Sequence, residues 1–199
     1  MAGFPTGEAA MAECYLSLGS NLGDRQGHLA AAGRALDTHP DVDVLAVAGL
    51  YETAPVGGPP RQGFYLNTAI RVRTSLAPEA LLTVCLDLER RQGRQRREPN
   101  GPRTLDVDLL LYDGHVCDTA ELTLPHPRMH LRRFVLAPLA EIAPGVRHPT
   151  LRRSVEELLA ELDPAAAQRC PRVTDRDWLP PGLCRSKPVP PGGAGPPTD

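Results

Sequence analysis

The 199-residue chain is almost without lysine: Lys187 stands alone against twenty-one arginines. Nearly every cationic site is therefore a fixed-charge guanidinium, a rigid fork suited to carboxylate and phosphate oxygens. Aromatic residues make up only 4% of the chain, which removes the stacking platforms that single-stranded nucleic-acid binders use. A formal net charge of -2 argues likewise against a generic nucleic-acid coat or a polybasic membrane anchor. Cys14, Cys85, Cys117, Cys170 and Cys184 are odd in number and form no CxxC pair. Neither a disulfide scaffold nor a zinc ribbon is indicated, and buried free thiols are expected. No apolar run approaches a membrane span, and the first twelve residues lack the basic and apolar regions of a secretory signal. A cytoplasmic protein with no membrane partner is expected.

What remains is an ordinary globular composition, 41% hydrophobic and 23% charged, enough for one main domain with a sizeable core. The boundaries read as a flexible leader over 1–12, a folded domain over 13–163, and a Pro/Gly-rich, largely flexible tail over 164–199. Within that tail the sequence leaves open whether Trp178 docks on the domain. No internal repeat is present.

Hydrophobic spacing supplies the elements. "ECYLSLGSNLGDR" reads as a strand through Tyr15, Leu16 and Leu18, a turn at Gly19 to Gly23, and a helix capped by Asp24 with Leu29, Ala32, Gly33 and Leu36 on one stripe. "VDVLAVAGLYET" reads as one strand, followed by a long Pro/Gly-rich loop over 54–63. "FYLNTAIRVRT" alternates as a strand, Pro78 opens a helix striped by Leu81, Leu82, Cys85 and Leu88, and residues 105–112 form another strand. A short strand at "LTLPHP" and helices at "RRFVLAPLAEIAP", with a kink at Pro138, and "SVEELLAEL" come after. The order predicts an α+β protein with a ferredoxin-like βαββαβ core, an antiparallel-rich sheet, helices packed against it, and extra C-terminal helices.

Chemistry concentrates in "GPRTLDVDLLLYDG", residues 101–114. Alternation puts Asp106, Asp108, Leu110 and Tyr112 on one face and Leu105, Val107, Leu109 and Leu111 on the other. A carboxylate on a covered sheet must be paired, neutralised or metal-bound. Just upstream, "RRQGRQRREPNGPR" gathers Arg90, Arg91, Arg94, Arg96, Arg97 and Arg103. Mg²⁺ commonly takes one or two carboxylates plus substrate phosphates, and guanidinium forks match phosphate oxygens, so the combination points to a metal-bound polyphosphate. Ion pairing on a solvated face is the alternative.

"GSNLGD" lacks the ending of a Walker A sequence and reads as a turn before a capped helix, with Ser20 and Asn21 as possible ligand contacts. His126 and His130 lie four apart, but Pro127 opposes a regular helix there and with it transition-metal binding. Asn67 on a packing strand offers an amide edge to a flat heterocycle, with Phe134 as a stacking surface.

Taken in order, "YLSLGSNLGDR", "YETAPVGG", "FYLNTAI", "LERRQGRQR", "GPRTLDVDLLLYDG" and "LPHPRMHLRRFVLAPLAEIAP" resemble the hydroxymethyldihydropterin pyrophosphokinases of folate biosynthesis. The resemblance spans roughly residues 13–150. It implies transfer of the terminal pyrophosphate of ATP to the hydroxymethyl oxygen of 6-hydroxymethyl-7,8-dihydropterin, leaving AMP. It further implies two Mg²⁺ ions on Asp106 and Asp108, with Arg94 and Arg103 joining them as catalytic residues. ATP, the co-substrate, would meet Glu89, Arg94, Arg96, Arg103, His126 and Arg132. The pterin would lie against Thr53, Pro55, Val56, Tyr65, Asn67 and Phe134. Mobile loops would begin at Gly19 to Asn21 and cover 54–63 and 94–102. Asn100 replaces a tryptophan of many relatives, and Pro127 and Leu86 stand where some carry tyrosine and a polar nucleotide contact. A monomer with no nucleic-acid partner is expected; the other readings are a ferredoxin-like nucleic-acid-binding module and a catalytically inactive relative.

Overall fold

A computed structural model describes residues 11–95, 98, 100–162, 169–174, 178 and 179. Its centre is β1 (Ala12–Ser20), flanked antiparallel by β4 (Tyr65–Thr74) and β5 (Asp106–Tyr112). A strand flanked by neighbours on both edges and largely covered on its faces takes small or apolar side chains, and every residue of β1 except Glu13 is buried. β2 (Val42–Val47) and β3 (Leu50–Thr53) divide the outer edge of β4, and β8 (Arg172–Thr174) adds to β3. The order β5-β1-β4-β3-β8, with β2 also on β4, makes a six-stranded sheet. Its core is the expected ferredoxin-like arrangement. The hairpin of β6 (Cys117–Asp118) and β7 (Thr123–Leu124) stands apart.

The single strand expected over 42–53 is two strands. They part at Ala48 and Gly49, where a Cβ on Gly49 would lie 2.5 Å from the Thr174 carbonyl oxygen, so the edge steps aside at a residue without a side chain.

One sheet face is covered by α1 (Arg25–Asp37) and α2 (Pro78–Arg91). Asp24 caps α1 by accepting from the Gly27 amide at 3.0 Å, and Pro78 begins α2 where a missing N–H costs nothing. Leu29, Leu36, Leu81, Cys85 and Leu88 then pack on Leu16, Leu18, Ile70, Val107 and Leu109. α3 (Arg133–Ile142) and α4 (Val155–Glu161) cover only part of the other face, over Tyr15, Ala69, Leu110 and Leu111. α3 runs continuously through Pro138. Ser154 and Glu157 close a reciprocal capping box at the start of α4. The uncovered part of this face carries Ser17, Gly19, Asn67, Asp106 and Asp108. Among the described residues no helix is long and apolar enough to cross a membrane, and Cys14, Cys85, Cys117 and Cys170 are free thiols.

Two expectations need correction. Strict alternation in β5 fails after Leu109, because a register shift opposite Tyr15 and Leu16 places an extra residue in the strand. Leu111 thus joins Leu110 against α3, while Tyr112 turns to the α1/α2 side and donates to the Leu76 carbonyl at 2.6 Å. Residues 172–174, assigned by composition to a largely flexible tail, form β8, and Trp178, whose docking the sequence left open, packs into the core with Leu179 against it. Backbone pairing with the open edge of β3 supplies what their composition lacks. The rest of the expected tail, within 163–168, 175–177 and 180–199, and residues 1–10 lie outside the described residues.

Candidate active site

The floor of the site is β5. Asp106 accepts from Arg94 Nη1 at 2.5 Å and from Arg103 Nη1 at 2.9 Å. Arg94 is itself held by Glu89, whose carboxylate also accepts from the Val107 amide at 2.9 Å. Glu89 is 4% exposed, so the residue expected on the nucleotide side acts as a tie between α2, Arg94 and β5. The charge network explains its burial, since a carboxylate inside a protein must be paired.

Asp108 has different surroundings. Its pKa is pushed up to about 6, chiefly by burial and then by the neighbouring Asp106 charge, against a lowering contribution from Arg132. His126 Nε2 lies 3.9 Å from Asp108 Oδ2, beyond a hydrogen bond. Burial, then Arg132 and Arg128, push His126 down to about 4, so its ring is neutral near pH 7 and no ion pair forms. Two hard oxygen donors on one strand face, one of them short of positive charge, fit a hard divalent cation such as Mg²⁺. Among the described residues no cluster of three or more His, Cys, Asp or Glu could hold a metal. The remaining ligands would come from substrate oxygens and water, the habit of Mg²⁺ rather than of zinc.

Above this floor opens a cavity of about 320 Å³. It is lined by Thr53, Pro55, Val56, Tyr65, Asn67 and Phe134 together with Arg103, Asp106, Asp108 and Arg132. Asn67 is 3% exposed and donates from Nδ2 to Thr53 Oγ1 at 2.8 Å. Its Oδ1 faces Gly19, where a Cβ would stand only 3.1 Å away. Arg132 lies over the Phe134 ring, 5.5 Å from its centroid, a cation–π contact that fixes both side chains. Burial raises the Tyr65 phenol above its ordinary range, keeping it a neutral donor at physiological pH.

A second cleft of about 730 Å³ adjoins, bordered by Arg94, Glu98, Gly101 and Leu22 and sharing Asn100 and Arg103 with the first. Arg103 therefore stands between the two spaces. Of the expected site residues, Arg96 lies outside the described residues, and His126 neighbours Asp108 without lining the 320 Å³ cavity.

Three loops meet at this junction. Asn21 Oδ1 accepts from the Arg103 amide at 2.8 Å while the Asn21 amide donates to the Arg103 carbonyl at 3.1 Å. Its Nδ2 donates to Gln62 Oε1 and to the Gly63 carbonyl. Gln62 Nε2 in turn donates to the carbonyls of Gly57, Pro59 and Asn100. Asn21, a possible ligand contact by sequence, is thus a brace. Sequence reasoning passed over Gln62, and its action through backbone carbonyls leaves no motif. Arg128 and Leu131 also line the cavity; both lie in the quoted "LPHPRMHLRR" stretch, which was the available signal.

Comparison with known proteins gives a family and a fold. The model of 7,8-dihydro-6-hydroxymethylpterin-pyrophosphokinase (HPPK) matches residues 15–144. A 2-amino-4-hydroxy-6-hydroxymethyldihydropteridine pyrophosphokinase of Methylorubrum extorquens is 42% identical over 159 residues, 80% of this chain and 99% of that protein. The Bacillus subtilis protein of the same name is 46% identical over 132 residues, 66% of this chain and 78% of its own length. Among solved structures, Plasmodium falciparum HPPK-DHPS A437G with pteroate superposes with a TM-score of 0.62 at 14% identity. That match covers 78% of this chain and 44% of the longer Plasmodium chain, and it speaks for the fold alone.

Proposed function

This chain belongs to the 7,8-dihydro-6-hydroxymethylpterin-pyrophosphokinase family, and from that premise we propose how its residues divide the reaction. The protein is an ATP-dependent pyrophosphokinase of folate biosynthesis that transfers pyrophosphate from ATP to 6-hydroxymethyl-7,8-dihydropterin, giving AMP and the pterin pyrophosphate. The observation that carries the division of labour is the placement of Asp106 and Asp108 between an Asn67-centred wall and a set of guanidinium groups.

The pterin lies in the 320 Å³ cavity, its amide-like edge read by Asn67 and by backbone groups near Thr53, Pro55 and Val56, its face against Phe134 and beside Tyr65. ATP enters from the adjoining cleft, with phosphates toward Arg94, Arg103 and Arg132. Asp106 and Asp108 would hold Mg²⁺, two ions by resemblance, which would supply charge neutralisation at the transferring phosphorus and alignment for an in-line displacement. The pterin hydroxymethyl oxygen forms the new bond to the β-phosphorus as the bond to the AMP oxygen breaks, and the hydroxyl proton is released. Arg103 and Arg132 face the phosphate oxygens, where charge develops as that bond breaks. The Asn21–Gln62–Asn100 brace closes the loops over the site and keeps out water, which would otherwise compete as acceptor.

Purified protein with ATP, Mg²⁺ and 6-hydroxymethyl-7,8-dihydropterin tests this reading. AMP and pterin pyrophosphate are expected together and only in the complete mixture. Equal AMP formation without the pterin, or turnover unaffected by Asp108→Ala, would overturn the assignment.

A further inference from the structure

The segment beyond the family match, which ends at residue 144, is joined to the wall of the pterin cavity. β8 pairs with β3 through Leu50 with Thr174 and Tyr51 with Arg172, and the Glu52 amide donates to the Pro171 carbonyl at 3.0 Å. Arg172 Nη2 reaches Glu141 Oε1 at 3.1 Å. The other oxygen of Glu141 accepts from the Gly49 amide at 3.1 Å and from the Tyr51 hydroxyl at 3.0 Å. Further along, Trp178 is 7% exposed and donates from Nε1 to the Ala48 carbonyl at 2.9 Å. Leu179 rests on α1, where a Cβ at Gly33 would meet it at 3.1 Å.

These contacts converge on β3, a strand of four residues. On its inner side Tyr51 pairs with Asn67 and Thr53 with Tyr65. Thr53 accepts the Asn67 amide hydrogen and begins the cavity wall that continues through Ala54 to Gly57. A short edge strand paired on one side alone has little to fix its position. The phosphate-facing side of the site hangs instead on α2 and β5, separated from β3 in the sheet by β1 and β4.

We propose that Arg172 and Trp178 are positioning residues for the pterin: the strap they form fixes β3, and with it the Thr53–Asn67 pair, without acting on the nucleotide side. The inference rests on the pterin assignment of the cavity made above. Its test is the separation of the two substrates' constants in Arg172→Ala and Trp178→Phe. The phenylalanine keeps an aromatic ring in the core and loses the donor to Ala48 with part of the indole's bulk, so it carries the test if Arg172→Ala does not fold. Expected is a rise of about three- to tenfold in the Kd and KM for the pterin, with those for ATP within about twofold of the parent. Arg172→Lys, still able to reach Glu141, should recover part of the loss. Equal rises for both substrates would reduce the strap to general stability, and no rise for either would remove its role; both overturn the proposal. Asn67→Ala serves as the control on the premise. If it leaves pterin affinity intact, the cavity assignment falls; if it weakens pterin and the strap variants do not, the strap inference falls alone.

Discussion

Asp106 and Asp108 stand two residues apart on one face of β5, yet Asp106 is held by two guanidinium groups while the ion-pair candidate of Asp108 among the described residues is the neutral His126 ring, 3.9 Å away. The two carboxylates therefore differ in what the metal-free fold asks of them. Asp106 is part of the scaffold as well as of the proposed metal site. Asp108 is a charge kept in an unfavourable place.

Replacing each with asparagine should separate those roles. Asp108→Asn is expected to lower kcat by about a hundredfold or more while leaving the melting temperature unchanged or higher, because the substitution removes a poorly compensated charge. Asp106→Asn should lose comparable activity and also about 1–2 kcal/mol of stability, since Arg94 and Arg103 lose their ionic acceptor. Steady-state kinetics beside thermal unfolding of the metal-free proteins decide this; identical stability changes would contradict it.

The raised Asp108 pKa, about 6 against an ordinary 3.8, has two consequences of opposite sense. In the metal-free protein the fold favours the protonated acid, so this stabilising contribution is full at low pH and is lost as pH rises through about 6. Mg²⁺ competes with the same proton, so its affinity should fall by about tenfold per pH unit below that value. His126, pushed down to about 4, adds a contribution present above its ordinary pKa and lost as the pH falls toward 4. Mg²⁺ titrations above and below pH 6 test the first carboxylate; a flat profile would count against the assigned ligand.

On the pterin side, Asn67→Ala should weaken pterin binding by about 1–3 kcal/mol, roughly five- to hundredfold, and leave ATP binding nearly unchanged. Gly19→Ala should imitate a milder version of the same defect, because the new methyl group would approach Asn67 Oδ1 to 3.1 Å and displace the amide. Calorimetric titration with each substrate distinguishes the two sides, and equal losses would place the pterin elsewhere.

Glu89→Ala is expected to cost about 3–5 kcal/mol in chemical denaturation, because it strips a partner from buried Arg94 and orphans the Val107 amide. Glu89→Gln, which can still accept from Val107, should cost less. A neutral result for the alanine variant would show that the tie between α2 and β5 carries no stability.

The sheet and its first two helices were legible because burial writes itself into spacing. Alternation in β4, the Asp24 cap and the stripes of α1 and α2 each state where a side chain must point. The paired aspartates were legible for the opposite reason, being carboxylates where a covered strand should have none. The extra residue in β5 had no such mark, since Leu110 and Leu111 are equally apolar and either could face either side. β8 is three residues long and takes strand form from the edge it completes, so its own sequence says little. The tie made by Glu89 left no mark in the sequence, because Arg94 and the Val107 amide join it only in three dimensions.

Trp178 is the chain's one tryptophan, and it sits where the strap meets Ala48 rather than in the midst of the sheet. Intrinsic fluorescence of this protein is consequently a local gauge. A denaturant titration followed by emission records the undocking of the strap, whereas far-UV ellipticity records the loss of the sheet and helices. Two separate midpoints would measure how far the strap's stability falls below that of the body it braces, and a shared midpoint would mean that the last strand melts with the first.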